Sequence, residues 1–101
     1  MQVLFRYRAA ATPEVQQAAT DRAHKIASEV PGLVWKIWTY DPASLEAGGV
    51  YLFTDEASAQ AYLEGPIFAG LKAIPAIEHM QVKLLAVDCD RSQITRAPLS
   101  G

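Results

Sequence analysis

Alternation of apolar and polar positions marks four strands, and stretches of helical period separate them. Residues 2–8 alternate, with Val3, Phe5 and Tyr7 on one side and Gln2, Leu4, Arg6 and Arg8 on the other, which is the period of a half-buried strand. Thr12-Pro13-Glu14 carries the marks of a helix start: a capping hydroxyl, a proline in the first turn and an acid near the positive end of the dipole. Val15, Ala19, Ala23, Ile26 and Val30 then recur at helical spacing, while Gln16, Asp21, Arg22, Lys25 and Glu29 form the wet side. Pro31-Gly32 ends that helix.

Residues 33–40 are β-branched and aromatic, types that suit a packed, pleated surface. Strict alternation puts Leu33, Trp35, Ile37 and Thr39 on one face and Val34, Lys36, Trp38 and Tyr40 on the other. Large apolar groups on both faces predict a strand covered on both sides. Asp41-Pro42 stops it, and residues 41–47, with Ser44 and Glu46, read as a long loop. Gly48-Gly49 leads into a second run over 50–54 and predicts a bulge at strand entry, or a surface where a ligand approaches the backbone. Thr54-Asp55-Glu56 opens a second helix with Ala57, Ala61 and Tyr62 inward. Gly65-Pro66 interrupts it, and residues 67–74 form a further helical piece with Phe68 and Leu71 inward. Residues 77–88 predict the last strand, Met80, Val82, Leu84 and Ala86 facing one way and His79, Gln81, Lys83 and Leu85 the other. The tail, about 89–101, has little pattern.

The order β-α-β-β-α-β is that of a ferredoxin-like α+β domain, a four-stranded antiparallel sheet with both helices on one face. The simplest assignment places Val3, Phe5, Tyr7, Trp35, Ile37, Met80, Val82 and Leu84 beneath the helices. The opposite face then holds Leu4, Arg6, Val34, Lys36, Trp38, Tyr40, Gln81, Lys83 and Leu85, too aromatic to leave in water. A homodimer packed sheet to sheet follows, with Trp38 and Tyr40 as interface anchors.

Composition narrows the function classes. The chain of 101 residues is one domain over 1–101, half hydrophobic and one-fifth charged. A net charge of −2 gives no electrostatic reason to expect nucleic acid. No apolar run spans a bilayer and no signal peptide is visible, so a cytoplasmic protein without a membrane partner is expected. The single cysteine, Cys89, suits a reducing compartment, and Asp88 and Asp90 beside it disfavour a thiolate nucleophile. Two histidines, one cysteine and scattered acids give no metal-ligand spacing. Neither GxxxxGK[ST] nor GxGxxG is present, so no nucleotide or flavin cofactor is expected on motif grounds.

Trp35 with Phe5, Tyr7, Ile37 and Met80 is a candidate apolar pocket between sheet and helices. Lys36, between two tryptophans, reads either as a snorkelling lysine at an interface edge or as a cation for an anionic ligand or phenolate. Glu46 reads as a solvated loop carboxylate. His79 is a candidate acid/base because imidazole exchanges protons near neutrality, although alternation sets it on the face away from that pocket. His24 falls on the wet flank of the first helix.

Residues 32–66 resemble the YdhR-type mono-oxygenase family. The matching elements are Gly32, Trp35-Lys36, Trp38-Thr39, Glu46-Ala47-Gly48-Gly49, residues 51–55 (YLFTD) and Ala61-Tyr62-Leu63, with Ser92-Gln93-Ile94 similar in the tail. The resemblance implies a dimeric α+β barrel and a cofactor-independent monooxygenase acting on a small aromatic or other hydrophobic molecule. In that reading Phe5, Tyr7, Trp35, Ile37, Tyr51 and Met80 contact the substrate, and His79 or Lys36 assists the proton step. The alternatives are a non-catalytic dimer that binds a hydrophobic small molecule, and a haem-handling protein with only His24 and His79 as histidine ligands.

Overall fold

The computed structural model describes residues 1–10 and 12–99. Its elements in chain order are β1 (Gln2–Tyr7), α1 (Pro13–Glu29), β2 (Leu33–Asp41), β3 (Glu46–Phe53), α2 (Glu56–Leu63), α3 (Pro66–Lys72), β4 (Ile77–Lys83) and α4 (Cys89–Ile94). The strands form one antiparallel sheet in the order β2-β3-β1-β4, the ferredoxin-like arrangement expected from the element order.

The starts of α1 and α2 are fixed as their sequences imply. The Thr12 hydroxyl accepts from the Val15 amide at 3.3 Å, and the Asp55 carboxylate from the Ser58 amide at 2.8 Å. Gly32, at φ 77°, supplies the left-handed turn after α1. The core under the helices unites Val3, Phe5, Ala47 and Tyr51 from the sheet with Ile26 of α1, Tyr62 of α2, and Phe68 and Leu71 of α3. Burying one such large side chain contributes about 1.5–3 kcal/mol.

Five expectations are corrected. First, β3 begins at Glu46, so the β2–β3 turn is only residues 42–45, and Gly48 and Gly49 lie inside a strand. Second, α2 packs through Ala59 and Tyr62, while Ala57 and Ala61 are exposed. Third, β4 stops at Lys83, and Leu84, Leu85 and Val87 belong to an exposed arm leading to α4. Fourth, the tail holds that short helix, started by the Asp88 carboxylate accepting from the Arg91 amide at 3.1 Å. The arm helps raise the radius of gyration to 14.1 Å, above the about 13 Å of a compact chain of this length.

The fifth correction decides where the functional residues point. The pairing of β2 with β3 shifts register between Leu33 and Trp35. One extra residue there inverts the phase of everything after it. Leu33 still packs against the core, but beyond the shift Lys36, Trp38 and Tyr40 pair with Tyr51, Gly49 and Ala47 on the helix side. Trp35 and Ile37 therefore lie on the open face, and Ile37 is 55% exposed. The Trp35 indole N–H donates to the Pro98 carbonyl at 2.6 Å. A second shift, between Leu4 and Arg6 in the pairing of β1 with β4, accompanies His79 at φ 56°. Val3, Phe5, Tyr7 and Met80 keep the side expected of them, as core or packed against it.

Candidate functional site

Between α1 and the β2–β3–β1 part of the sheet lies a cleft of about 200 Å³. Its walls include Phe5 and Tyr7 from β1, Val15, Ala19 and Arg22 from α1, Lys36, Trp38 and Tyr40 from β2, Tyr51 from β3 and Leu71 from α3. Strand pairing explains the clustering, because Lys36 stands beside Tyr51, Trp38 beside Gly49, and Tyr40 beside Ala47.

Lys36 is the centre of this cleft. Its stem lies over Gly49, where an added Cβ would stand 2.6 Å from the lysine Cε. The missing side chain of Gly49 is thus the space that admits Lys36. The ammonium Nζ sits 3.4 Å from the Trp38 ring centroid and 4.6 Å from that of Tyr51, a cation held by two aromatic faces. No Asp or Glu lines the cleft. Burial, reinforced by the nearby Arg22 charge, lowers the Lys36 pKa to about 7. At neutral pH Lys36 therefore divides between amine and ammonium, the condition of an effective general base or acid.

The tyrosines behave oppositely. Burial holds the Tyr7 phenol above its usual range, and burial with the neighbouring Tyr62 does the same for Tyr51. The hydroxyls of Tyr51 and Tyr62 meet at 3.3 Å in the core, and the Tyr62 and Phe68 rings continue the aromatic packing behind the cleft. These phenols stay protonated at neutral pH and form walls of the cleft.

Phe5, Tyr7 and Tyr51 line this cleft, and Lys36, Trp38 and Tyr40, which strict alternation sets on the opposite face, stand with them. Trp35 and Ile37 are on the other side of the sheet, and Met80 packs against the core without lining the cleft. The His79 side chain is 68% exposed at the β4 irregularity, 3.8 Å from Glu78, and does not enter the cleft. Sequence reasoning set Arg22 on the wet side of the first helix and read Gly48-Gly49 as a bulge or a ligand-facing backbone, whereas Arg22 lines the cleft and Gly49 makes room for the Lys36 stem. Arg22 continues the stripe Val15, Ala19, Arg22, Ile26 at helical spacing, so its place on the inner flank was readable. Gly49 was legible only once its partner Trp38 was known.

Larger clefts lie elsewhere among the described residues, including one of about 770 Å³ between α1 and α3 that shares Arg22 and is also lined by Asp21, His24 and Glu29. One of about 630 Å³ lies between the start of α2, the end of β3 and the arm, with Leu52, Leu84 and Val87 among its walls. Another of about 440 Å³ separates the end of α1 from α2 and α3. Among the described residues no group of three or more His, Cys, Asp or Glu side chains is placed to hold a metal ion, and no helix is long and apolar enough to cross a membrane.

A ferredoxin-like sheet with an aromatic cleft under its helices defines a small α+β domain. Residues 1–98 match the family described as "Putative mono-oxygenase ydhR", and the chain belongs to that family. Among solved structures, the NE2512 protein of unknown function from Nitrosomonas europaea is 27% identical, with a TM-score of 0.51 over 86% of this chain and 90% of that one. A "putative Antibiotic biosynthesis monooxygenase" from Chloroflexus aurantiacus J-10-fl is 21% identical, with a TM-score of 0.46 over 85% of this chain and 94% of that one. No curated protein matches the chain.

Proposed function

We propose that this protein is a cofactor-independent monooxygenase that binds a small aromatic substrate in the cleft between α1 and the sheet. The observation that carries the proposal is Lys36, held between the Trp38 and Tyr51 rings with its pKa lowered to about 7. A phenolic substrate gives its proton to the neutral amine of Lys36, and the resulting phenolate is electron-rich enough to reduce oxygen. One oxygen atom enters the ring and leaves as a quinone carbonyl; the other departs as water with the two hydrogens the substrate loses. The aromatic walls exclude water and hold the ring in place, contributions of orientation and desolvation. Tyr7 and Tyr51 orient the substrate.

The working unit in this reading is a cytoplasmic homodimer, joined through the open face of the sheet that carries Ile37. The test is oxygen uptake by purified protein with a panel of monophenols and naphthols, whose quinone products must carry an oxygen atom from O2, and no added cofactor. Uptake that falls at least tenfold in Lys36→Met, with a quinone product, supports the reading. Uptake unchanged by that substitution removes Lys36 from the mechanism. Binding of the panel without any uptake leaves a non-catalytic module for hydrophobic small molecules.

A further inference from the structure

Arg22 and Lys36 line the same small cleft from opposite walls, one from α1 and one from β2. Neither has an ion pair or a side-chain hydrogen bond among the described residues. Arg8, 3.6 Å from Glu78, and Arg91, 2.7 Å from Asp88, do find acids; what sets Arg22 and Lys36 apart is that they share one cleft with no acid in its walls. The remaining walls are aromatic or aliphatic, with Gln16, Thr39 and the tyrosine hydroxyls as the uncharged polar groups. Two partly desolvated cations facing each other over aromatic rings are unfavourable by themselves, through lost hydration and mutual repulsion. An anion between them removes both costs, and the rings beside them set what that anion is attached to.

We infer that the cleft takes a flat aromatic anion, its ring against Trp38 and its carboxylate or phenolate oxygen between Arg22 and Lys36. This rests on the reading that the cleft is the ligand site, and it adds the charge of the ligand and Arg22 as a second recognition residue. Arg22 suits an oxyanion because guanidinium is always charged and presents a planar fork of donors. A space of about 200 Å³ accommodates one ring or two fused rings. The groups facing Lys36 are Arg22 from α1, Tyr7 from β1, Tyr51 from β3 and Tyr40 on its own strand, and Arg22 is the only formal cation among them. An arriving anion offsets that cation and draws a proton back onto Lys36.

The experiment is isothermal titration of the full chain with 2-naphthoate and with 2-naphthamide, its neutral counterpart, in buffers of different ionisation enthalpy. The expected result is at least tenfold tighter binding of the carboxylate, with uptake of about one proton at pH 8 and none at pH 6. Arg22→Gln and Lys36→Met each remove the preference while retaining naphthamide binding, which also shows that the variants are folded. Titrating 4-nitrophenol by its colour distinguishes the phenolate source: a pKa lowered by the protein adds phenolates to the ligand class, and an unchanged one restricts it to carboxylates. Equal affinity for carboxylate and amide overturns the inference but leaves an aromatic cleft. Binding of neither overturns both the inference and the cleft as the ligand site.

Discussion

The environment of Lys36 withdraws what a lysine normally has: water, and an acidic partner. The consequence for stability has a definite sign. In the folded chain Lys36 releases its proton near pH 7, and in the unfolded chain near its ordinary 10.5. Between those values the unfolded chain binds more protons, so the wild-type gains stability as pH rises through that window, and below pH 7 the cost of the buried charge is felt in full. Lys36→Met keeps the length of the stem and drops the charge. It is expected to be more stable than wild-type at pH 6, and that difference falls by up to about 1.4 kcal/mol per pH unit as pH rises from 7 toward 10. Urea denaturation at a series of pH values measures this, and a constant difference across the series removes the proposed titration. Lys36 was legible in the sequence as a cation between two tryptophans. Which tryptophan it touches was not. Trp35 and Trp38 differ only in phase, and the phase is set by one extra residue between Leu33 and Trp35 that no propensity records.

The elements themselves were well marked, because caps and breakers are local. Thr12, Asp55, the Pro31-Gly32 pair and Gly65-Pro66 each act within a few residues of themselves. Strand faces and strand ends depend on partners distant in sequence. Gly48 and Gly49 looked like the entry to β3 and are interior to it, because β1 and β2 pair across them. How β3 and α2 are joined yields a second prediction. The Tyr51 and Tyr62 hydroxyls meet at 3.3 Å in the core, one donating to the other. Tyr62→Phe leaves the Tyr51 hydroxyl buried without that partner and is expected to cost about 1–2 kcal/mol, and Tyr51→Phe likewise. The double variant removes both polar groups and is expected to cost less than the sum of the singles by about 1 kcal/mol. Thermal melts of the four proteins close this cycle, and strict additivity shows that the two hydroxyls are independent. Tyr62→Phe leaves the cleft walls in place, so ligand binding separates this effect from any on function.

At the scale of the whole molecule, the sheet has one face under helices and another whose covering is incomplete. The expectation of a dimer rested on an apolar open face carrying Trp38 and Tyr40, and in the structure that face carries Ile37 instead. Trp38 and Tyr40 belong to the cleft, while Ile37, 55% exposed, projects from the open face. The chain covers part of that face itself, since Pro98 returns to accept from the Trp35 indole. Exposed apolar groups on the open face and along the arm, including Leu85 at 62% and Val87 at 45%, are what a second copy of the chain would bury. If they are buried in a two-fold dimer, a charge on the open face is intolerable there and harmless in the cleft. Ile37→Lys is therefore expected to weaken association at least tenfold by sedimentation velocity, whereas Trp38→Ala leaves association unchanged and weakens the binding of an aromatic ligand. The opposite pattern, dimers lost with Trp38→Ala and kept with Ile37→Lys, would place the interface on the helix side of β2. That result would remove the cleft as an open site, because the same side chains cannot both seal an interface and admit a ligand.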